Sequence, residues 1–156
     1  MIELSEQTVK SFLLHATAKK LRMILVGGGA VNFHGYHRHS ADIDFWIDTD
    51  PENMEKLKSI IIEMGYELEQ FPPEVMKGEQ NISVKISPIS EIELITQFNP
   101  GKKFEDAFND ADIFKGETIQ YRVISYEDLI TSKIKSGRPK DLLDIQELKR
   151  IREEEQ

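Results

Sequence analysis

Met23-Ile24-Leu25-Val26-Gly27-Gly28-Gly29-Ala30-Val31 and, a short way on, Asp42-Ile43-Asp44-Phe45-Trp46-Ile47-Asp48 decide how this chain is read. The first stretch opens with a continuous apolar run cut off by glycines, the pattern of a buried strand that ends in a turn. Ala30 to His34 then suit a short helix, closed by Gly35 at the position where a left-handed residue costs least. The second stretch alternates acidic with large apolar residues. In a strand this places Ile43, Phe45 and Ile47 on one face and Asp42 and Asp44 on the other. The order is strand, glycine turn, helix, strand.

Working outward, residues 5–20 carry Val9, Phe12, Leu13 and Ala16 at helical spacing, with Ser5 as a cap. Asp50-Pro51 is a strong helix start, and Leu57, Ile60, Ile61 and Met64 supply its buried stripe up to Gly65. Residues 66–71, 82–86 and 89–98 read as strands, the first two separated by Pro72-Pro73 and a surface loop around Met76-Lys77-Gly78. After Asn99-Pro100-Gly101 comes a polar connector dotted with aromatics, then a strand over 118–124. Ser125 caps a helix that runs through Leu129, Ile130 and Ile134 to Gly137. Arg138-Pro139 starts the last helix, which carries Leu142, Leu143, Ile145 and Leu148. No repeat or low-complexity linker interrupts the chain. Strands mixed with helices predict an α/β or α+β fold, a mixed β-sheet flanked by helices. The 156 residues suffice for one core, so residues 1–156 are expected to form a single domain.

A net charge of −8 argues against a protein that coats duplex DNA with its whole surface. Lys133, Lys135, Arg138 and Lys140 nevertheless cluster near the carboxyl end, while acids dominate between Asp42 and Glu79. The absence of cysteine excludes disulfides and thiolate zinc sites. No apolar run approaches the roughly 18 residues of a membrane helix, and the first residues do not resemble a secretory signal. The cytoplasm is the expected compartment, with no membrane partner.

Carboxylates at i and i+2 on one strand face stand about 6–7 Å apart at their α-carbons. They can share one cation or bracket two. Magnesium takes hard oxygen ligands and commonly only one or two protein carboxylates, leaving other positions to water and phosphate. Asp-x-Asp meets that demand, although such a pair alone also occurs on solvated strands. Gly27-Gly28-Gly29 lets the backbone approach a ligand and offers amides to phosphate oxygens; by itself it is equally a tight strand-to-helix connection. The two features together favour the ligand reading. His34, His37 and His39 do not make a zinc site, since only His15 remains to complete one. Phe45 and Trp46 read as core or rim packing.

The segment from Val26 through Gly27-Gly28-Gly29-Ala30-Val31, His34-Gly35, Arg38 and Asp42-Ile43-Asp44 to Ile47 resembles the signature of the DNA-polymerase-beta-like nucleotidyltransferases. It is similar in particular to small bacterial nucleotidyltransferases related to abortive-infection and toxin–antitoxin systems. The resemblance extends more faintly to Ile92-Glu93-Leu94-Ile95 and to Lys133 with Gly137-Arg138-Pro139-Lys140-Asp141. No Gly-Lys-Ser/Thr follows the glycines, so this is not a Walker-type phosphate loop. The resemblance implies a minimal nucleotidyltransferase fold and transfer of a nucleoside monophosphate from a triphosphate to an acceptor hydroxyl, with release of pyrophosphate. Asp42, Asp44 and a third carboxylate, Glu93, would be catalytic and would hold two magnesium ions, with manganese as the alternative. Glu93 stands where the family usually has Asp, and Glu91 on the same strand face is the fallback.

Gly27, Gly28, Arg38, Ser40 and Lys133 are the expected nucleotide contacts. Ser40 stands where the family often has Thr and keeps the hydroxyl. Arg38 suits bidentate contact with phosphate, or equally the neutralisation of nearby acids. Asp141 and Asp144 read as helix-start and interhelix partners. Transfer RNA, a protein side chain and a small molecule all remain open as acceptor. The exchange of Asp for Glu at position 93 also motivates a second reading, a weak or inactive binding module that partners a cognate toxin or antitoxin.

Overall fold

Met23–Val26 forms β1, buried along its whole length in the computed structural model, which describes residues 4–38, 42–87 and 90–155. A strand buried on both faces has to be covered from both sides, and the sequence supplies helices for that. β1 passes without a loop into α2 (Gly27–Phe33). The second decisive stretch is β2 (Ile43–Ile47), antiparallel to β1 with Met23 opposite Ile47 and Val26 opposite Asp44. β2 runs parallel to β4 (Ser90–Ile95), which is antiparallel to β3 (Ile82–Ser87). On the other side of β1 lies the parallel β6 (Gln120–Val123), then the antiparallel β5 (Asp112–Lys115). Among the described residues the sheet has six strands in the order β3-β4-β2-β1-β6-β5. It is a mixed sheet flanked by helices, the α+β architecture expected of a minimal nucleotidyltransferase.

Seven helices occur among the described residues. α1 (Leu4–Lys19) brings Phe12 against Phe45 of β2, ring centroids 6.3 Å apart, and so covers the Ile43/Phe45/Ile47 face. Ser5 lies within this helix rather than ahead of it. α3 (Pro51–Glu63) starts as the sequence predicts, with Pro51 in its first turn and the Asp50 carboxylate accepting from the Glu52 amide. Leu57, Ile60 and Ile61 are buried. α6 (Tyr126–Ser136) is capped by Ser125, which accepts from the Asp128 amide, and ends at Gly137 with φ +64°. α7 (Pro139–Glu154) follows directly.

Several expectations give way. Gly27-Gly28-Gly29 is not a turn ahead of a helix but its first turn. Glycine's poor helix propensity is overridden because larger residues would collide there, as a Cβ on Gly29 would fall 2.9 Å from the Leu25 side chain. Residues 66–71 form no strand, although Leu68 and Phe71 pack on the core. Pro73–Met76 forms a short helix, α4, in the segment read as a break and loop. The polar connector also holds structure, α5 (Phe104–Asp110) and β5. α5 buries Ala107, and Phe104 packs on Trp46 at 5.0 Å, while β5 is exposed throughout and shows no burial period. The predicted strand over 89–98 is confined to Ser90–Ile95, and Ile89 lies outside the described residues.

Asn53, buried on α3, locks the helix to the strand ends. Its amide nitrogen donates to the carbonyls of Arg22 (3.0 Å) and Asp48 (2.7 Å), and its oxygen accepts from the Arg22 amide (2.8 Å). Asn53→Ala strands these buried backbone groups, which predicts a loss of about 2–4 kcal/mol in a urea unfolding titration.

Candidate active site

The register of the sheet assembles the acids. Asp44 on β2 and Glu93 on β4 are direct partners across the parallel pair, so their side chains leave the same face of the sheet. Asp42 lies just ahead of β2, and its Oδ1 accepts from the Glu91 backbone amide at 3.1 Å. Asn81, ahead of β3, donates from Nδ2 to Glu93 Oε1 at 3.2 Å. Its own oxygen accepts from the Thr96 amide at 2.9 Å, which fixes the orientation of the Asn81 amide and aims the donor at Glu93. Sequence reasoning missed Asn81, since an asparagine before a strand carries no signal of its own.

Gly27 sits under this cluster. It has a φ of +61°, and a Cβ placed on it would fall 2.5 Å from Asp44 Oδ2. Both facts require glycine: the left-handed backbone disfavours a side chain, and the aspartate occupies the space one would fill. Gly28, in contrast, is buried within α2.

Burial pushes the Asp44 carboxyl up to about 6, reinforced by the negative charges of Glu93, Asp42 and Glu91; Lys140 opposes them. The donors are all oxygens, the chemistry a hard divalent cation takes. Among the described residues, however, no three His, Asp or Glu side chains are gathered tightly enough to hold a metal ion as they stand. Within this group the strand register sets Asp44 and Glu93 directly opposite each other.

The basic residues near the carboxyl end form the other wall. A cleft of about 310 Å³ is lined by Gly27, Asp44, Asn81, Lys133, Arg138 and Asp141, among others. Lys133, only 6% exposed, places its ammonium 2.8 Å from Asp144 and 3.3 Å from Asp141. Arg38 grips Asp144 bidentately at 2.9 and 3.1 Å. Arg138 does the same to Asp141 at 2.7 and 3.2 Å. Burial alone would raise the Asp141 carboxyl, but the hydrogen bonds and charges of Arg138 and Lys133 overcome it and leave it at about 2.

Asp141 and Asp144 are thus helix-start and interhelix partners, as the sequence suggests. Arg38 is engaged with one of them rather than turned freely to the cleft. Ser40 lies outside the described residues. His34 bonds the Ile124 carbonyl at 2.7 Å and ties α2 to the end of β6.

Residues 3–153 match the family described as "Nucleotidyltransferase of unknown function (DUF6036)". The chain belongs to this nucleotidyltransferase family. Among curated proteins, none matches it. The family domain accounts for nearly all of the fold just described. No helix among the described residues is long and apolar enough to cross a membrane.

The raised Asp44 carboxyl has a consequence for stability. A carboxyl raised on folding contributes stability that is fully present below its ordinary value near 4 and is lost as pH rises through 6. In chelator, Asp44→Asn should therefore raise the melting temperature above pH 6 and do little near pH 4. The gain should be on the order of 1–2 kcal/mol after allowance for solvent screening. Thermal unfolding across pH checks this.

Proposed function

We propose that this nucleotidyltransferase is metal-dependent and moves a nucleoside monophosphate from a triphosphate to an acceptor hydroxyl, releasing pyrophosphate. The observation that carries the reading is the pairing of Asp44 with Glu93 across β2 and β4, with Asp44 over Gly27 in a cleft whose other wall bears Lys133 and Arg138. Resemblance to the DNA-polymerase-beta-like group supports it, as does the match to a nucleotidyltransferase family.

Asp44 and Glu93, with Asp42 beside them, would hold magnesium or manganese. When bound, the ions offset the charge of the reacting phosphates and bring the attacking and departing oxygens into line. The acceptor oxygen forms a bond to the α-phosphorus as the bond to the bridging oxygen of the β-phosphate breaks. Pyrophosphate leaves with that electron pair. Glu93, held by Asn81, would take the hydroxyl proton. Arg138, more than half exposed, is the cation most able to reach the leaving phosphates, while Lys133 keeps positive potential at the back of the cleft. Gly27 leaves the close approach to the Asp44 carboxylate open.

Label transfer from each nucleoside triphosphate into a cell extract, with magnesium or manganese, tests the reading. Asp44→Asn or Glu93→Gln should abolish transfer while the fold survives. Unchanged transfer in both variants would refute the metal-dependent mechanism. The labelled fraction identifies the acceptor as transfer RNA, protein or small molecule.

A second reading, a binding module that partners a toxin or antitoxin without turnover, is favoured by the loose spacing of the acids. It predicts no transfer and no divalent binding by the wild-type chain. On the enzymatic reading, Asn81→Ala releases Glu93 and weakens manganese binding about 10–100-fold, measured by electron paramagnetic resonance titration.

A further inference from the structure

We propose that a second cavity, at the far end of β1 from the cleft, binds a small nucleoside polyphosphate. The cleft is built around Val26 and Gly27, whereas this cavity is built around Arg22 and Met23. It measures about 600 Å³, within the range of small-ligand pockets. Among the described residues four cationic side chains line it, Lys20, Arg22, Lys56 and Arg122, and no Asp or Glu does.

Such a lining is unexpected in a chain with 28 acidic and 20 basic residues. Arg22 is ion-paired with Asp48 at 3.0 Å and with Glu105. Among the described residues, Lys20, Lys56 and Arg122 form no ion pair with a carboxylate. Like charges gathered without counter-charge repel one another, and a bound anion relieves that repulsion.

The two arginines are also held in place. Arg22 and Arg122 each lie 4.5 Å from the centroid of the Phe108 ring, and Arg122 donates to the Phe108 carbonyl at 3.3 Å. A guanidinium fixed in this way is ready for phosphate oxygens.

Charge and shape select the ligand. Three positive charges without a carboxylate partner match a diphosphate or triphosphate better than a single phosphate. Leu21, Met23, Ile113 and Tyr121 give the same cavity an apolar side on which a base and sugar can rest. A polynucleotide is disfavoured, because the cations surround one hollow instead of forming a track, and the net charge of −8 repels a long polyanion.

The test uses the full-length protein, ¹⁵N-labelled, titrated with ADP in chelator so that no divalent ion assists the cleft. Amide shifts are expected at Thr17, Leu21, Gln120 and Arg122. Lys56→Ala combined with Arg122→Ala should weaken ADP about tenfold or more. Asp44→Asn should leave ADP affinity unchanged, which separates this cavity from the cleft. Adenosine should produce no shifts, and pyrophosphate should bind more weakly than ADP.

Where the double variant lacks a native amide spectrum, Lys20→Ala, on an exposed side chain, must itself weaken ADP. Shifts confined to Gly27, Ser132 and Lys133 would overturn the proposal, as would no binding at millimolar ADP. So would adenosine or pyrophosphate binding as tightly as ADP, or retention of full affinity by the cavity variants.

Discussion

The register of β2 is the constraint on which everything else depends. Side chains alternate along a strand, so a slip of one residue would turn Phe45 toward the cleft and Asp44 into the core beneath α1. The register is held on both sides, with Val26 opposite Asp44 in one ladder and Glu93 opposite it in the other. It is also held by burial, because Phe45 and Ile47 are each 1% exposed. The same pairing that brings Asp44 to Glu93 brings it over Gly27. The direct passage from β1 into α2 without a loop is therefore part of the site: the chain turns where the aspartate needs room.

Two charge systems meet at the cleft and are built differently. The acids on the sheet are poorly neutralised, and the high Asp44 carboxyl records their mutual repulsion as well as burial. Behind them, Arg38, Lys133 and Arg138 alternate with Asp144 and Asp141 in a continuous chain of ion pairs. Removing one member of such a buried array leaves its partner's charge uncompensated, so the array fixes how α6 and α7 sit against the residues after α2. The cationic network is largely satisfied within the protein and is structural first. At Asp44 the neighbouring charges are mainly of like sign, with Lys140 alone opposing them, and this sets the sheet side of the cleft apart.

Much of this was legible in the sequence because the decisive signals are local. A continuous apolar run, an acid–apolar alternation and caps at Asp50 and Ser125 each declare an element through its own residues. The choice of Glu93 as the third acid rested on resemblance, and the sheet does place it beside Asp44; its role is a proposal. What escaped depends on partners distant in sequence. Asn53 and Asn81 act through bonds to residues 31 and 12–15 positions away. β5 has no buried face to create a period, and Phe104 and Phe108 give α5 only a single helical repeat. The glycine run misleads in the opposite sense. Propensity reads it as a turn, while steric demand from Asp44 and Leu25 makes glycine the residue that lets this helix begin.

The two cavities stand at opposite ends of β1, separated by about 10 Å along a strand of this length. That is roughly one Debye length at physiological ionic strength, so solvent-screened attraction between their charges is weak. Influence of one site on the other would have to pass through the strand itself. Ile24 is fully buried, Leu25 nearly so, and both are locked between β2 and β6. A close-packed strand held from both sides does not adjust gradually. On the two proposals made above, the fold favours independent filling of the cavities, each tuned by its own local charge, on one shared β1.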